Sequence, residues 1–115
     1  MSDARNPSNA VSTPKAYVVF IKESTLDGIE MARYQAAVGA SFKGHSPSFL
    51  AAYGALEVVE GAPAEGAVIL EFADMERARA WYHSPAYQEA AQHRFAGAVY
   101  RGLIVEGTAP AEVKS

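Results

Sequence analysis

A strand–helix–strand–strand–helix–strand order predicts an α+β domain in which four antiparallel strands carry helices on one face. Two observations carry that prediction. Apolar, β-rich runs recur near residues 16, 49, 67 and 99, and segments of helical period separate the first run from the second and the third from the fourth. Residues that cap helices, Asp27, Asp74 and Ser84, stand where those helical segments begin. This is the split-βαβ, or ferredoxin-like, arrangement.

Each element follows from its residues. Ala16-Tyr17-Val18-Val19-Phe20-Ile21 is apolar on both alternating faces, as in a strand covered on two sides. Asp27-Gly28-Ile29-Glu30 reads as a capping box, and Met31, Tyr34, Val38 and Phe42 then recur at helical spacing. Gly44 stands near the expected end of that helix, and Pro47 stops it. The second strand is expected over Phe49–Tyr53 and Leu56–Glu60, with a bulge or bend at Gly54. After a loop at residues 61–66, Ala67–Phe72 forms the third strand, with Val68, Leu70 and Phe72 on one face and Ile69 and Glu71 on the other. Asp74 caps a short helix through Tyr82, and Ser84-Pro85 starts another that runs to about Arg94. Val99–Val105 closes the sheet.

Length and composition narrow the function. The chain has 115 residues, of which 50% are hydrophobic and 20% charged, so one globular domain with a modest core is expected. A net charge of −3 offers no basic footprint for nucleic acid. The absence of cysteine removes disulfides, thiol nucleophiles and thiolate metal sites. Residues 1–14 and 108–115 are small and polar and are expected to be flexible tails around a domain at 15–107. Residues 1–14 lack the apolar stretch of a secretory signal, and the apolar runs are too short to span a membrane. The expectation is a soluble cytoplasmic protein with no membrane or nucleic-acid partner.

With helices on one sheet face, the apolar residues on the other face need cover. Tyr17, Val19 and Ile21 alternate with Val18 and Phe20, so either choice of inner face leaves an apolar outer one. A homodimer with the two sheets packed face to face is therefore expected.

Several runs resemble the domain-of-unknown-function 1330 family: Leu56-Glu57-Val58-Val59-Glu60-Gly61, Val68–Phe72, Ala80-Trp81-Tyr82 with Ser84-Pro85-Ala86-Tyr87, Arg94, and Val105-Glu106-Gly107. The resemblance covers about residues 15–107 and implies the dimeric α/β-barrel superfamily. That superfamily includes cofactor-free quinol monooxygenases, muconolactone isomerases, polyketide cyclases and haem-handling enzymes, whereas the family itself implies no reaction. This chain departs from the family pattern in carrying Ser46-Pro47-Ser48 where members usually have Gly-Gly-Arg, and Ala52-Tyr53-Gly54 where many have Arg-Gly-Gly. If those arginines hold an anion in relatives, the neutral residues at 48 and 52 imply a less charged ligand or a lost activity.

Candidate chemistry concentrates on few residues. Glu71 interrupts an apolar strand and is a candidate acid/base; the structural alternatives are a pair with Arg94 or Arg101, or an exposed strand end. His45 is a second acid/base candidate, and aligns with a histidine often found in the family before the second strand. The bland reading places His45 and His93 at helix C-termini, where a cation suits the macrodipole. Arg94 and Tyr53 are expected to polarise a substrate oxygen. Trp81, Tyr82, Tyr87 and Tyr34 are expected to shape a pocket, with core packing as the alternative for Trp81. The three histidines have no metal-ligand spacing, so no metal is expected, a His/Glu site assembled only in three dimensions being the alternative; no cofactor is expected either. The leading expectation is a small cofactor-independent isomerase, lyase or monooxygenase acting on an apolar or aromatic carbonyl compound. A noncatalytic ligand-binding or structural homodimer is the alternative, and haem handling is a third idea.

Overall fold

The computed structural model describes residues 13–109. The elements are β1 (Ala16–Thr25), α1 (Gly28–Val38), a 3-10 turn (Gly39–Phe42), β2 (Ser48–Ala52), β3 (Gly66–Phe72), α2 (Met75–Tyr82), α3 (Pro85–Gly97) and β4 (Ala98–Glu106). One four-stranded sheet has the order β2-β3-β1-β4 with every neighbouring pair antiparallel. This is the ferredoxin-like α+β fold. Both expected tails lie mostly outside the described residues.

The register sorts the side chains into two faces. Val18 stands between Leu70 and Ile104, and Phe20 between Val68 and Gly102, on the face beneath the helices. Ala16, Val18, Phe20, Leu70 and Phe72 are buried there with Met31, Tyr34, Trp81 and Tyr87 from the helices. The opposite face carries the rows Tyr17–Glu71–Val105, Val19–Ile69–Leu103 and Ile21–Ala67–Arg101. Among the described residues no helix covers that face, and Leu103 and Val105 are exposed on it.

The caps form where the sequence places them. Asp27 accepts from the Ile29 and Glu30 amides, Asp74 from Arg77, and Ser84 from Tyr87. The capping box is only half made, because the Asp27 amide donates to the Gly97 carbonyl and Glu30 turns to Arg33 and His93. Helices α1 and α3 approach closely at Gly97, where a Cβ would stand 3.0 Å from Met31 atoms.

Two expected elements are shorter in the structure. The first helix leaves α geometry at Gly39, a poor helix former, and the Ser41 hydroxyl bonds back to the Val38 carbonyl at 2.5 Å as the chain tightens into the 3-10 turn. His45 thus sits beyond that turn, its amide on the Phe42 carbonyl, rather than at a helix end. The second strand stops at Ala52, since Tyr53 adopts φ +60° and swings the chain away from β3. The expected bulge at Gly54 falls instead at Leu50, where the β2–β3 register shifts. Leu56–Glu60 is not a strand within this chain.

Candidate functional site

A partly open cavity of about 130 Å³ lies between α1, the 3-10 turn and the sheet. Phe20, Val68 and Leu70 form its floor, Tyr34, Gln35 and Val38 its helical wall, and Phe42, Phe49, Ala52, Tyr53 and Trp81 the remainder. The lining is mostly apolar and aromatic, as in sites for small organic molecules. No carboxylate or imidazole is among these lining residues.

Trp81 is fully buried and anchors the site. Its ring stacks on Phe42 at 5.1 Å and 10° and on Phe72 at 5.7 Å and 28°. The indole N–H donates to Ser41 Oγ at 3.0 Å, so the one polar atom of the side chain is satisfied. Trp81 is therefore both core and cavity wall.

Behind the cavity runs a chain of polar atoms. The Tyr34 and Tyr87 hydroxyls meet at 3.0 Å, and Arg94 Nε donates to the Tyr87 oxygen at 3.1 Å. Arg94 is only 5% exposed. Its guanidinium lies over the rings of Phe20 at 4.6 Å, Phe95 at 4.8 Å and Tyr100 at 5.0 Å, and no carboxylate forms an ion pair with it among the described residues. A buried cation normally has a counter-ion, because desolvating it is costly. Here three aromatic faces and a phenol oxygen take that place.

The phenols are held in their protonated form. Burial pushes Tyr34 far above its ordinary value, with Tyr87 adding to the shift. Burial likewise raises Tyr87, and Arg94 opposes it. Tyr100 rises through burial and through its hydrogen bond with Tyr53. These groups are therefore hydrogen-bond donors and acceptors at neutral pH, not bases.

Tyr53 reaches the site by an unusual backbone. Its left-handed φ of +60° is a conformation that costs a non-glycine residue about 1 kcal/mol or more. The ring then lies on Gly66, where a Cβ would stand 2.6 Å from Tyr53 Cδ1, so only glycine allows the approach. The Tyr53 hydroxyl meets that of Tyr100 at 2.5 Å, and Lys22 Nζ stands 5.6 Å from the ring centre.

The structure brings Tyr34, Tyr53 and Trp81 to the cavity wall, with Tyr87 and Arg94 directly behind it. It does not bring the other candidates there. Glu71 lies on the opposite sheet face and accepts from the Tyr17 hydroxyl at 3.1 Å, rather than pairing with either arginine. Arg101 instead stands 4.0 Å from Glu23. His45 sits in the turn before β2, off the cavity lining, and Tyr82 lines a separate groove with His83 and β4 residues Gly102, Leu103 and Ile104. His93 does not serve its helix end; its Nδ1 meets Glu30 at 2.7 Å and ties α3 to α1.

Phe42, Phe49, Gln35 and Tyr100 take part without having been named as site candidates from the sequence. Tyr100 was accessible by alternation, since it shares a face with Gly102 and Ile104, which stand opposite Phe20 and Val18. The other three carry no signal beyond being apolar or helical. Among the described residues, no three His, Asp or Glu side chains converge as a metal site, and no helix is long and apolar enough to cross a membrane.

Comparison with known proteins gives a fold and a family. A protein of unknown function from Rhodopseudomonas palustris superposes with a TM-score of 0.62 at 15% identity, over 90% of this chain and 89% of that one. SnoaB, a cofactor-independent oxygenase from Streptomyces nogalater, gives 0.58 at 14%, over 90% and 100%. A dimeric ferredoxin-like protein of unknown function from Thermobifida fusca gives 0.59 at 11%, over 84% and 94%. At these identities the likeness is one of fold. No curated protein matches the chain. The model of the domain of unknown function DUF1330 matches residues 15–108, and the chain belongs to that family.

Proposed function

We propose that this protein binds a small, flat, neutral carbonyl compound in the cavity beneath α1 and stabilises negative charge developing on its oxygen. The observation that carries this reading is the Tyr34–Tyr87–Arg94 chain behind an otherwise apolar cavity. The Tyr87 oxygen accepts from the guanidinium, and in the arrangement we propose Tyr87 gives its own proton to the Tyr34 oxygen, which frees the Tyr34 O–H for a ligand acceptor. The arginine charge polarises each link, which strengthens the terminal donor. A donor of this kind favours an enolate or phenolate over its neutral parent, which is how such sites lower barriers. Tyr53 offers a second hydroxyl on the far wall.

The reading supports cofactor-independent chemistry in which solvent water takes the proton from the substrate's own acidic O–H or C–H, and the anion is then either reprotonated at another atom, as in isomerisation, or oxidised by dioxygen, as in oxygenation of an electron-rich ring. SnoaB, of similar fold, is described as a cofactor-independent oxygenase. The absence of carboxylate and imidazole from the lining favours a second reading, noncatalytic binding of the same ligand class. Haem handling draws no support, since no histidine lines the cavity. The open, apolar sheet face and the dimeric neighbours support a homodimer packed sheet to sheet.

A thermal-shift panel of quinols, lactones, short keto acids and haem tests the reading. Stabilisation by one carbonyl or phenolic class is expected, because a ligand that binds the native state raises its melting temperature. Turnover of that class favours the enzyme, and binding without turnover the noncatalytic form. Stabilisation by haem alone, or a shift that persists in Tyr34→Phe, defeats the proposal.

A further inference from the structure

The cavity beneath α1 has a deep end and a mouth. Tyr34, Leu70 and Trp81 are buried at the deep end, whereas Gln35, Phe49, Ala52 and Tyr53 are exposed and border the opening. The Tyr34 hydroxyl, which meets Tyr87, belongs to the deep end. A ligand whose oxygen reaches Tyr34 therefore enters oxygen first, between α1 and β2. Its far edge then stops between Phe49, Ala52 and Tyr53.

Both aromatic flanks of the mouth are fixed. The β2–β3 register shifts between Phe49 and Ala51, which sets Phe49 opposite Leu70 and Ala52 opposite Val68, so both belong to the cavity face. A bulge of this kind bends its strand and re-aims side chains. Phe49 meets the Phe42 ring edge-on at 5.2 Å, and Phe42 is stacked on Trp81, whose N–H is held by Ser41. On the other flank the Tyr53 ring is seated on Gly66, and its hydroxyl is bonded to Tyr100. Ala52 stands beside Tyr53 and adds only a methyl group to the lining.

The space between these walls is about 130 Å³. An apolar protein cavity of about 150 Å³ holds one benzene. We propose that Phe49 and Ala52 determine ligand size, so that the site accepts a single carbocyclic ring and refuses a fused pair. The proposal rests on the binding reading above and adds the ring count of the ligand and the residues that set it. Transfer from water alone favours the larger ring system, which buries more apolar area. A preference for the smaller one must therefore come from the cavity walls.

Calorimetry on the full chain tests this with two matched pairs of probes, phenol against naphthol and cyclohexenone against tetralone. The wild-type protein is expected to bind the one-ring member of each pair at least about tenfold more tightly. Phe49→Ala opens one flank and is expected to shrink that ratio at least about tenfold, by strengthening the two-ring ligands. Ala52→Leu fills the mouth and is expected to weaken the one-ring ligands at least about tenfold. Ala52 is exposed, so this variant decides the matter if Phe49→Ala fails to fold. A wild-type protein that binds neither class overturns the binding reading itself. A wild-type protein that binds both classes alike, or the two-ring class better, overturns the size proposal alone. So does a ratio unchanged in folded Phe49→Ala, or one-ring binding unchanged in Ala52→Leu.

Discussion

Replacing Arg94 by methionine separates a binding role from a structural one. The side chain is 5% exposed, has no carboxylate partner among the described residues, and gives one hydrogen bond to Tyr87. Its removal forfeits a charged hydrogen bond of about 1.5–3 kcal/mol. It also forfeits stacking on three rings, about 0.5–2 kcal/mol each. Against this stands the desolvation of a buried guanidinium, several kcal/mol, which no anion offsets. Methionine fills much of the same volume, and the Tyr87 hydroxyl keeps Tyr34 as a partner. The terms oppose each other, so stability is expected to fall by less than the cost of breaking a buried ion pair, about 3–5 kcal/mol. Urea unfolding at fixed protomer concentration reads the difference, with an unchanged slope confirming that the same transition is compared. A loss of about 3 kcal/mol or more, the cost of breaking a buried pair, would show that Arg94 is held for the fold and refute the argument that it awaits a ligand.

Further variants bear on the same scheme. Tyr34→Phe removes the proposed donor but leaves Tyr87 bonded to Arg94, so a stability cost near 1 kcal/mol is expected alongside at least a tenfold loss of ligand affinity in calorimetry. Trp81→Ala empties the centre of the aromatic core and should cost about 3–5 kcal/mol by chemical denaturation; a cost below 1 kcal/mol would contradict its place there. Glu30, held below its ordinary 4.5 chiefly by the hydrogen bond from His93, contributes stability above that value that is lost as pH falls through its lower folded-state pKa. Glu30→Gln should therefore flatten the acid limb of melting temperature against pH, and an unchanged limb would count against the α1–α3 tie.

What could be read from the sequence divides along the range of the interactions. Asp27, Asp74 and Ser84 cap their helices because capping depends on residues two or three positions away. The alternation of Glu71 with Leu70 and Phe72 was equally plain. Which face the helices would cover was not, because β1 is apolar on both sides; Glu71 stands opposite Tyr17 and so faces away from the cavity. The failed second half of the second strand has a related cause. Leu56–Glu60 has strand composition, but Tyr53 turns the chain away from β3 through a left-handed φ that composition does not announce. Arg94 was legible as a residue that could polarise an oxygen. Its lack of a counter-ion was not, since that depends on Phe20, Phe95 and Tyr100 converging from β1, α3 and β4.

The most direct test of the central claim is a spectrophotometric pH titration of 4-nitrophenol, alone and with saturating protein. A cavity that stabilises negative charge through Tyr34, Tyr87 and Arg94 should make the bound phenol ionise at lower pH than the free one. The shift should vanish in Arg94→Met while the fold persists. A bound phenol that ionises at its free value or above, or a downward shift that survives the loss of Arg94, would contradict the account.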